Sequence, residues 1–251
     1  MTVAYAPARR GFLLPIFMTL VGLAVLIGLG LWQLERKAWK DAIVASLTEK
    51  LSAAPVPLPA REAWSRLGPA ENEFKRVTFP AEFLHDAEAL VYSVGSALRA
   101  DVSGPGYWVF TPARLTGGSI VIVNRGFVPE GRENPAGRQQ GQVGGVVDIA
   151  GFLRWPEQRG TFSADDNPGR NVWFVRDHLA IAQSKGWGPV APFYVDQERP
   201  SPAGGLPKAG PLRAVLPNNH LQYAITWFSL AGCLLAVFAF WMRSRIKSVS
   251  A

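Results

Sequence analysis

The chain has 251 residues, with 26 Lys+Arg against 19 Asp+Glu and a formal net charge of +7, a balance that alone suggests nucleic acid or an anionic membrane as partner. Hydrophobic residues make up 48% and charged residues only 18%, so disorder is excluded as the main state: there is ample apolar material to offset chain entropy. Cys233 is the only cysteine and the three histidines (His85, His178, His220) are scattered, which excludes an intrachain disulfide framework and argues against an all-protein metal site.

Residues 1–11 form a short tail carrying Arg9 and Arg10 without an acid. Gly11 to Leu34 then runs without a formal charge. As a helix, it would extend roughly 35 Å, enough for a hydrocarbon core of about 30 Å. A first transmembrane helix is expected over 12–34, with Trp32 and Trp39 at the membrane–water interface. A cleaved signal peptide is the competing reading. Its apolar core would be shorter, about 7–15 residues, and would end in a small-residue site; here the exit reads Trp32-Gln33-Leu34-Glu35-Arg36-Lys37.

An outer domain is expected over 35–199. Trp39, Ile43, Leu47 and Leu51 recur at helical spacing, so the first helix should continue to about Ala53, where Pro55, Pro57 and Pro59 stop it. A short helical turn over 61–67 follows. Strands are predicted at 77–83, 89–94, 107–115, 119–128, 146–155, 172–175 and 193–195, with Gly117-Gly118 as a hairpin turn. One helix, 177–185, has Asp177 as N-cap. Strands this closely spaced leave no room for βαβ crossovers, so an antiparallel sheet or small barrel is favoured. Residues 200–219, with Pro200, Pro202, Pro207, Pro211 and Pro217, read as an extended tether.

A second transmembrane helix is expected over 220–242, and a tail over 243–251 carrying Arg243, Arg245 and Lys247 without an acid. By the positive-inside tendency both ends are cytoplasmic. The segment 35–219 holds 21 Lys+Arg and all 19 acids, a net +2, so the basic patch of a nucleic-acid binder is missing. The fold class is therefore a membrane protein: two transmembrane α-helices flank an α+β, mainly antiparallel-β outer domain. Nine residues before Arg10 are too few for an ordinary mitochondrial targeting peptide, so the expected setting is a bacterial inner membrane with the main domain periplasmic.

No catalytic constellation is readable. Ser93, Ser96 and Ser119 have no G-x-S-x-G context. His85-Asp86 reads as a hairpin turn and His178 as an early helix position, both at the surface. Asp165-Asp166-Asn167-Pro168-Gly169 departs from a calcium loop, and Gly141–Gly145 lacks the lysine and helix start of a phosphate cradle. Met1, Met18 and Met242 all lie outside 35–219, which disfavours copper delivery. Ala24-x3-Gly28 and Gly232-x3-Ala236 are small-residue pairs suited to close helix approach, either between the two spans or with a partner's helices, with Cys233 expected as a buried packer.

His220 stands apart, at the entry to the second span after Asn218-Asn219. With Tyr223 and Trp227 it falls at i, i+3 and i+7 near the outer interface. Two readings stay open on spacing alone. One is an axial ligand for haem iron with aromatics packing on the porphyrin and Arg36, Lys37 or Arg213 meeting propionates. The other is an interfacial histidine making a polar contact to the first helix or to headgroups.

Four blocks in order resemble the surfeit locus protein 1 family: Gly30-Leu31-Trp32-Gln33-Leu34-Glu35-Arg36-Lys37-Ala38-Trp39-Lys40, Gly106-Tyr107-Trp108-Val109-Phe110-Thr111-Pro112, Val123-Asn124-Arg125-Gly126-Phe127-Val128-Pro129 and Asn218-Asn219-His220-Leu221-Gln222-Tyr223-Ala224-Ile225-Thr226-Trp227-Phe228. The resemblance implies a non-enzymatic biogenesis factor of cytochrome c oxidase. Such a factor delivers haem a to subunit I or stabilises that subunit, with subunit I, haem a synthase and membrane lipid as partners and no nucleic acid. It places a haem a contact on His220, as iron ligand, with Tyr223 and Trp227 beside it. Asn124, Arg125 and Gly126 receive a structural or docking role. The alternative is a membrane scaffold for oxidase assembly with no cofactor of its own.

Overall fold

The computed structural model describes residues 11–214 and 217–249. The Arg9 and Arg10 tail, on which the orientation partly rests, lies outside the described residues. The chain divides into two units, a helical one from residues up to 44 and from 217 onward, and a strand-rich one from 45 to 214.

The helical unit pairs the first part of α1 (Leu13–Ser52) with α4 (His220–Val249). Both helices are long and apolar enough to cross a membrane. They carry large apolar side chains on their outer faces, such as Leu13, Leu14, Phe17, Val237 and Phe240. Water would penalise such surfaces and lipid does not, so the protein is a membrane protein with two transmembrane helices. The helices run antiparallel. The rings of Phe12 and Trp241 meet at 5.9 Å at one end, and Gln33 meets His220 at 2.7 Å at the other. Those pairs lie 21 positions apart on each helix, about 32 Å of rise, close to one hydrocarbon thickness.

One sheltered series on α4 is His220, Ala224, Trp227, Ala231, Leu234, Phe238 and Trp241, and one on α1 is Ile16, Thr19, Leu23, Leu26, Gly30, Gln33, Lys37 and Lys40, with Pro15, Gly22, Leu29 and Met242 also partly covered beside them. Both series alternate steps of three and four, the 3.5-residue seam of left-handed helix packing. Of the two contacts open to the small-residue pairs, the one between the two spans does not use them. Gly28 and Gly232 have open space where a side chain would go, and Cys233 is exposed. Close approach is made instead by Gly30, where a Cβ would stand 2.5 Å from the Phe228 ring, and by Gly22 against Leu234. The outward series 24, 28, 232, 236 falls between seam positions, which spacing of small residues alone does not reveal. Helix α4 also continues through the basic residues to Val249.

In the strand-rich unit, α1 ends with Leu47 and Leu51 packed on Phe152 and Leu212. The strands are β1 (Val56–Pro57), β2 (Arg76–Phe83), β3 (Ala89–Gly95), β4 (Ser103–Leu115), β5 (Ile120–Pro129), β6 (Val146–Arg154), β7 (Val172–Trp173) and β8 (Val190–Arg199), with the short helices α2 (Pro69–Asn72) and α3 (His178–Lys185). They join in the order β1-β2-β6-β8-β5-β4-β3-β7, and β2 also pairs with β4. The strands β2, β6, β8, β5 and β4 therefore close into a barrel, which removes their free edges.

Alternation explains why. One face of each barrel strand is apolar: Val77 and Phe79 of β2, Ala113 of β4, Val121 and Val123 of β5, Ile149 and Leu153 of β6, Phe193 and Val195 of β8. All belong to one buried cluster, the barrel interior. Trp64, from a single-turn helix at Arg61–Arg66, caps it edge-on against Phe193 (5.5 Å, 74°). Outside, Trp108, Phe110, Ile122 and Tyr194 form a second cluster with Val91, Trp173 and Ile181, under α3. Most pairings are antiparallel, but β1–β2, β3–β7 and β5–β8 are parallel. Helix α3 and the 155–189 connection carry the chain from β6 around to the gap between β6 and β5, so a parallel pair arises without a βαβ unit.

One of the two expectations about histidine needs amending. His85 opens a single turn between β2 and β3, as expected. His178, however, is fully buried: its Nε2 bonds the Ala191 carbonyl at 3.0 Å and its ring lies 5.4 Å from Tyr194. Asp177 caps α3 by accepting N–H from Leu179 and Ala180, which fixes the next side chain inward.

From Pro200 to Ala214 the return runs along the barrel. Lys208 bonds Phe127 in both directions (2.8 and 3.3 Å), and Leu212 is buried. Gly126, at φ +125, lets this happen: a Cβ there would fall inside the Lys208 carbonyl. Gly126→Ala should therefore cost about 1–3 kcal/mol in backbone strain and expose the 201–209 stretch. Faster limited proteolysis in that stretch is the measurement; an unchanged cleavage rate would show that the return does not depend on Gly126.

Candidate functional site

Two polar constellations stand out, one in each unit. In the helical unit, His220 is the first residue of α4, with its N–H facing the Asn218 side-chain oxygen (3.4 Å). Its Nδ1 lies 2.7 Å from Gln33 Oε1. An amide oxygen only accepts, so Nδ1 donates this bond, and in the neutral ring Nε2 is then the atom with the lone pair. Further polar contacts follow outward: Asn218 donates to Asp41 (2.7 Å), Lys37 pairs with Asp41 (2.5 Å) and Lys40 donates to the Pro217 carbonyl. The Arg36 guanidinium stacks on Trp39 at 3.9 Å.

Of the three residues singled out from sequence, His220 and Trp227 share the seam toward α1, while Tyr223 sits beside it and is 55% exposed. Ala224, one residue on, takes the buried position. The bond to α1 is the polar contact to the first helix that the interfacial-histidine reading expected; Gln33 itself, though it lies in one of the four blocks, was not singled out from the sequence. Only the antiparallel register brings it to His220, 187 residues away.

In the strand-rich unit, Asn124, Arg154 and Asp196 meet on β5, β6 and β8. Asn124 donates to one Asp196 oxygen (2.7 Å), and Arg154 donates to the other (2.9 Å) and to Glu73 (2.7 Å). Arg176 extends the chain through Glu157 (2.7 Å). Burial pulls the Arg154 guanidinium toward deprotonation, but Asp196, Tyr194 and Glu73 outweigh it and its pKa moves up. Beside these residues lies a cleft of about 270 Å³, bordered also by Arg99, Trp108 and Gln197. Arg99 is itself held in a fork by Asp101 (2.8 and 2.9 Å) and donates to the Lys208 and Gly210 carbonyls. The Arg99 hydrogen bonds hold the Asp101 carboxyl well below the usual range.

The three arginines at this cleft thus already have carboxylate partners. The arrangement fixes strand ends and the return segment. Among the described residues, no group of three His, Cys, Asp or Glu side chains is placed to hold a metal ion. A single imidazole with a fixed tautomer, as at His220, is the arrangement that suits one axial bond to a metal already held by a macrocycle.

The chain matches the model of the SURF1 family over residues 20–232. It is 36% identical to a SURF1-like protein of Monosiga brevicollis over 251 residues, covering 96% of this chain and 92% of that protein. With Surfeit locus protein 1 of Homo sapiens it shares 37% over 215 residues, 81% of this chain and 69% of the relative. With the protein of that name from Rattus norvegicus it shares 34% over 234 residues, 89% and 73% respectively. The family match takes in the whole strand-rich unit and part of each apolar helix, and the chain belongs to the SURF1 family.

Proposed function

We propose that the protein is an assembly factor for cytochrome c oxidase that holds haem a as cargo and passes it to subunit I, rather than an enzyme. It does so in a bacterial inner membrane, with both termini cytoplasmic and the barrel periplasmic. The carrying observation is the His220–Gln33 contact. The amide oxygen of Gln33 holds the Nδ1 proton, so Nε2 is left as the ligand atom. Trp227 offers an apolar surface on the same seam, and Tyr223 an exposed ring beside it. Haem iron held by one protein ligand keeps an open axial position. His220 and Gln33 orient that single bond, and a cargo held by one bond is released more readily than one held by two. Subunit I is the receiving partner; haem a synthase is the donor and membrane lipid the surroundings.

The test is to purify the full chain from cells making haem a and record its absorbance. The parent should retain haem, His220→Ala should lose most of it, and Gln33→Ala should weaken retention about 10–100-fold. Equal haem in the parent and His220→Ala would remove the ligand assignment. Co-purification of subunit I without haem would favour the cofactor-free scaffold instead.

A further inference from the structure

The barrel carries a positive charge that its own side chains do not neutralise. Arg125 follows Val121 and Val123 on the inward face of β5 and closes that end of the core; it is 3% exposed. One guanidinium nitrogen donates to His85 Nδ1 (3.1 Å), another to the Gly141 carbonyl, and the group lies 4.9 Å from the centre of the Phe83 ring. His85 also lies 2.9 Å from the Val143 carbonyl through Nε2. With Nε2 donating and Nδ1 accepting, that ring is neutral. Among the described residues Arg125 forms no ion pair. Glu88, the acid that acts on it through space, is committed to Arg138. Two buried guanidinium groups therefore share one buried carboxylate. Burial, with Arg138 nearby, pushes Arg125 down to about 10, and burial with Arg125 nearby pushes His85 down. Burial is the larger cause of both shifts, and on Arg125 it acts against the pull of the Glu88 carboxylate.

This cation borders a cavity of about 400 Å³. The other walls are mainly apolar, including Phe83, Val143, Val147, Pro202 and Ala203. Gln197 holds the wall in place by donating to the Pro200 carbonyl (2.6 Å). We propose that this cavity binds a small monocarboxylate with an apolar chain, the carboxylate on Arg125 and the chain along the apolar walls. A guanidinium fork matches a carboxylate in shape and charge. A surplus of one positive charge calls for a monoanion, and the exposed Asp148 at the rim opposes a dianion such as phosphate. The size falls in the range of small-molecule pockets, about 300–1,000 Å³.

The probe is octanoate, below its micelle concentration, titrated calorimetrically into the full chain in phosphatidylcholine nanodiscs with empty nanodiscs as blank. Octanoate should bind saturably, and octanol at least tenfold more weakly. Arg125→Met should weaken octanoate at least tenfold. Ala203→Trp, which fills the cavity and leaves the cation in place, should do the same while melting like the parent. Imidazole resonances give a second readout: with only three histidines, the His85 titration can be followed, and octanoate should raise it by offsetting the Arg125 charge. Equal binding of octanol and octanoate, parent-like binding by both variants, or a His85 titration indifferent to octanoate would each overturn the assignment.

Discussion

Replacing Asp196 by alanine should lower the unfolding free energy of the full chain by about 3–5 kcal/mol. Asp196 is 6% exposed and joins three barrel strands, taking hydrogen bonds from Asn124 on β5 and Arg154 on β6. Without it, Arg154 keeps Glu73 but stays buried with half of its fork unpaired, and Asn124 loses its acceptor. The size of the loss comes less from the attraction removed than from the buried charge left behind. Asp196→Asn keeps an acceptor and should cost about half as much. Urea unfolding in mild detergent, followed by tryptophan fluorescence, measures both. A loss below about 1 kcal/mol for the alanine variant would mean that the network is idle.

Acid should weaken the barrel through His178. Burial pushes this imidazole down to about 4 from an ordinary 6.5, against the opposing effects of the Ala191 hydrogen bond and Asp177. The sign follows from proton counting. Between those two values the unfolded chain binds the proton and the folded chain does not, so acid favours unfolding. The contribution is fully present above about pH 6.5 and is lost as pH falls toward about 4, amounting to about 2 kcal/mol between pH 7 and about pH 4.5. His85 is shifted in the same direction. His178→Gln, which can still donate to Ala191, should flatten this part of the profile. An unchanged slope between variant and parent would show that His178 does not set it.

Much of the strand-rich unit is written in local pattern. Alternation at 77–83 marks a two-faced strand, Gly117-Gly118 marks the turn from β4 into β5, and Asp177 marks the start of α3; each signal acts within a few residues. Barrel closure is not local, since β2 meets β4 only through Ala81–Phe83 and β8 enters between β6 and β5. No composition rule announces that. His178 was unreadable for a related reason: helical position gives a direction around α3, but only the packed barrel decides that this direction is the core. The helix seam cannot be picked out from spacing alone, because small residues at i and i+4 occur on several faces, while the buried face is set by which residues the partner helix brings. At the candidate site, His220 was legible from its place at a span entry. Gln33 became meaningful only once the antiparallel register put it opposite.

The place of β8 also constrains how the barrel can form in time. Strand β8 pairs with β5, which begins 70 residues earlier in the chain, and with β6. Until residues 190–199 are available, both of those strands present open edges and the Phe193 side of the core is empty. Closure is therefore a late, long-range event, with the loop-entropy cost and slow rate that high contact order brings. During that interval β5 and β6 are exposed to pairing with the wrong strand. For a domain that emerges between two membrane anchors, the protein meant to help another complex assemble has an assembly hazard of its own, which ends only when its last strand slots in.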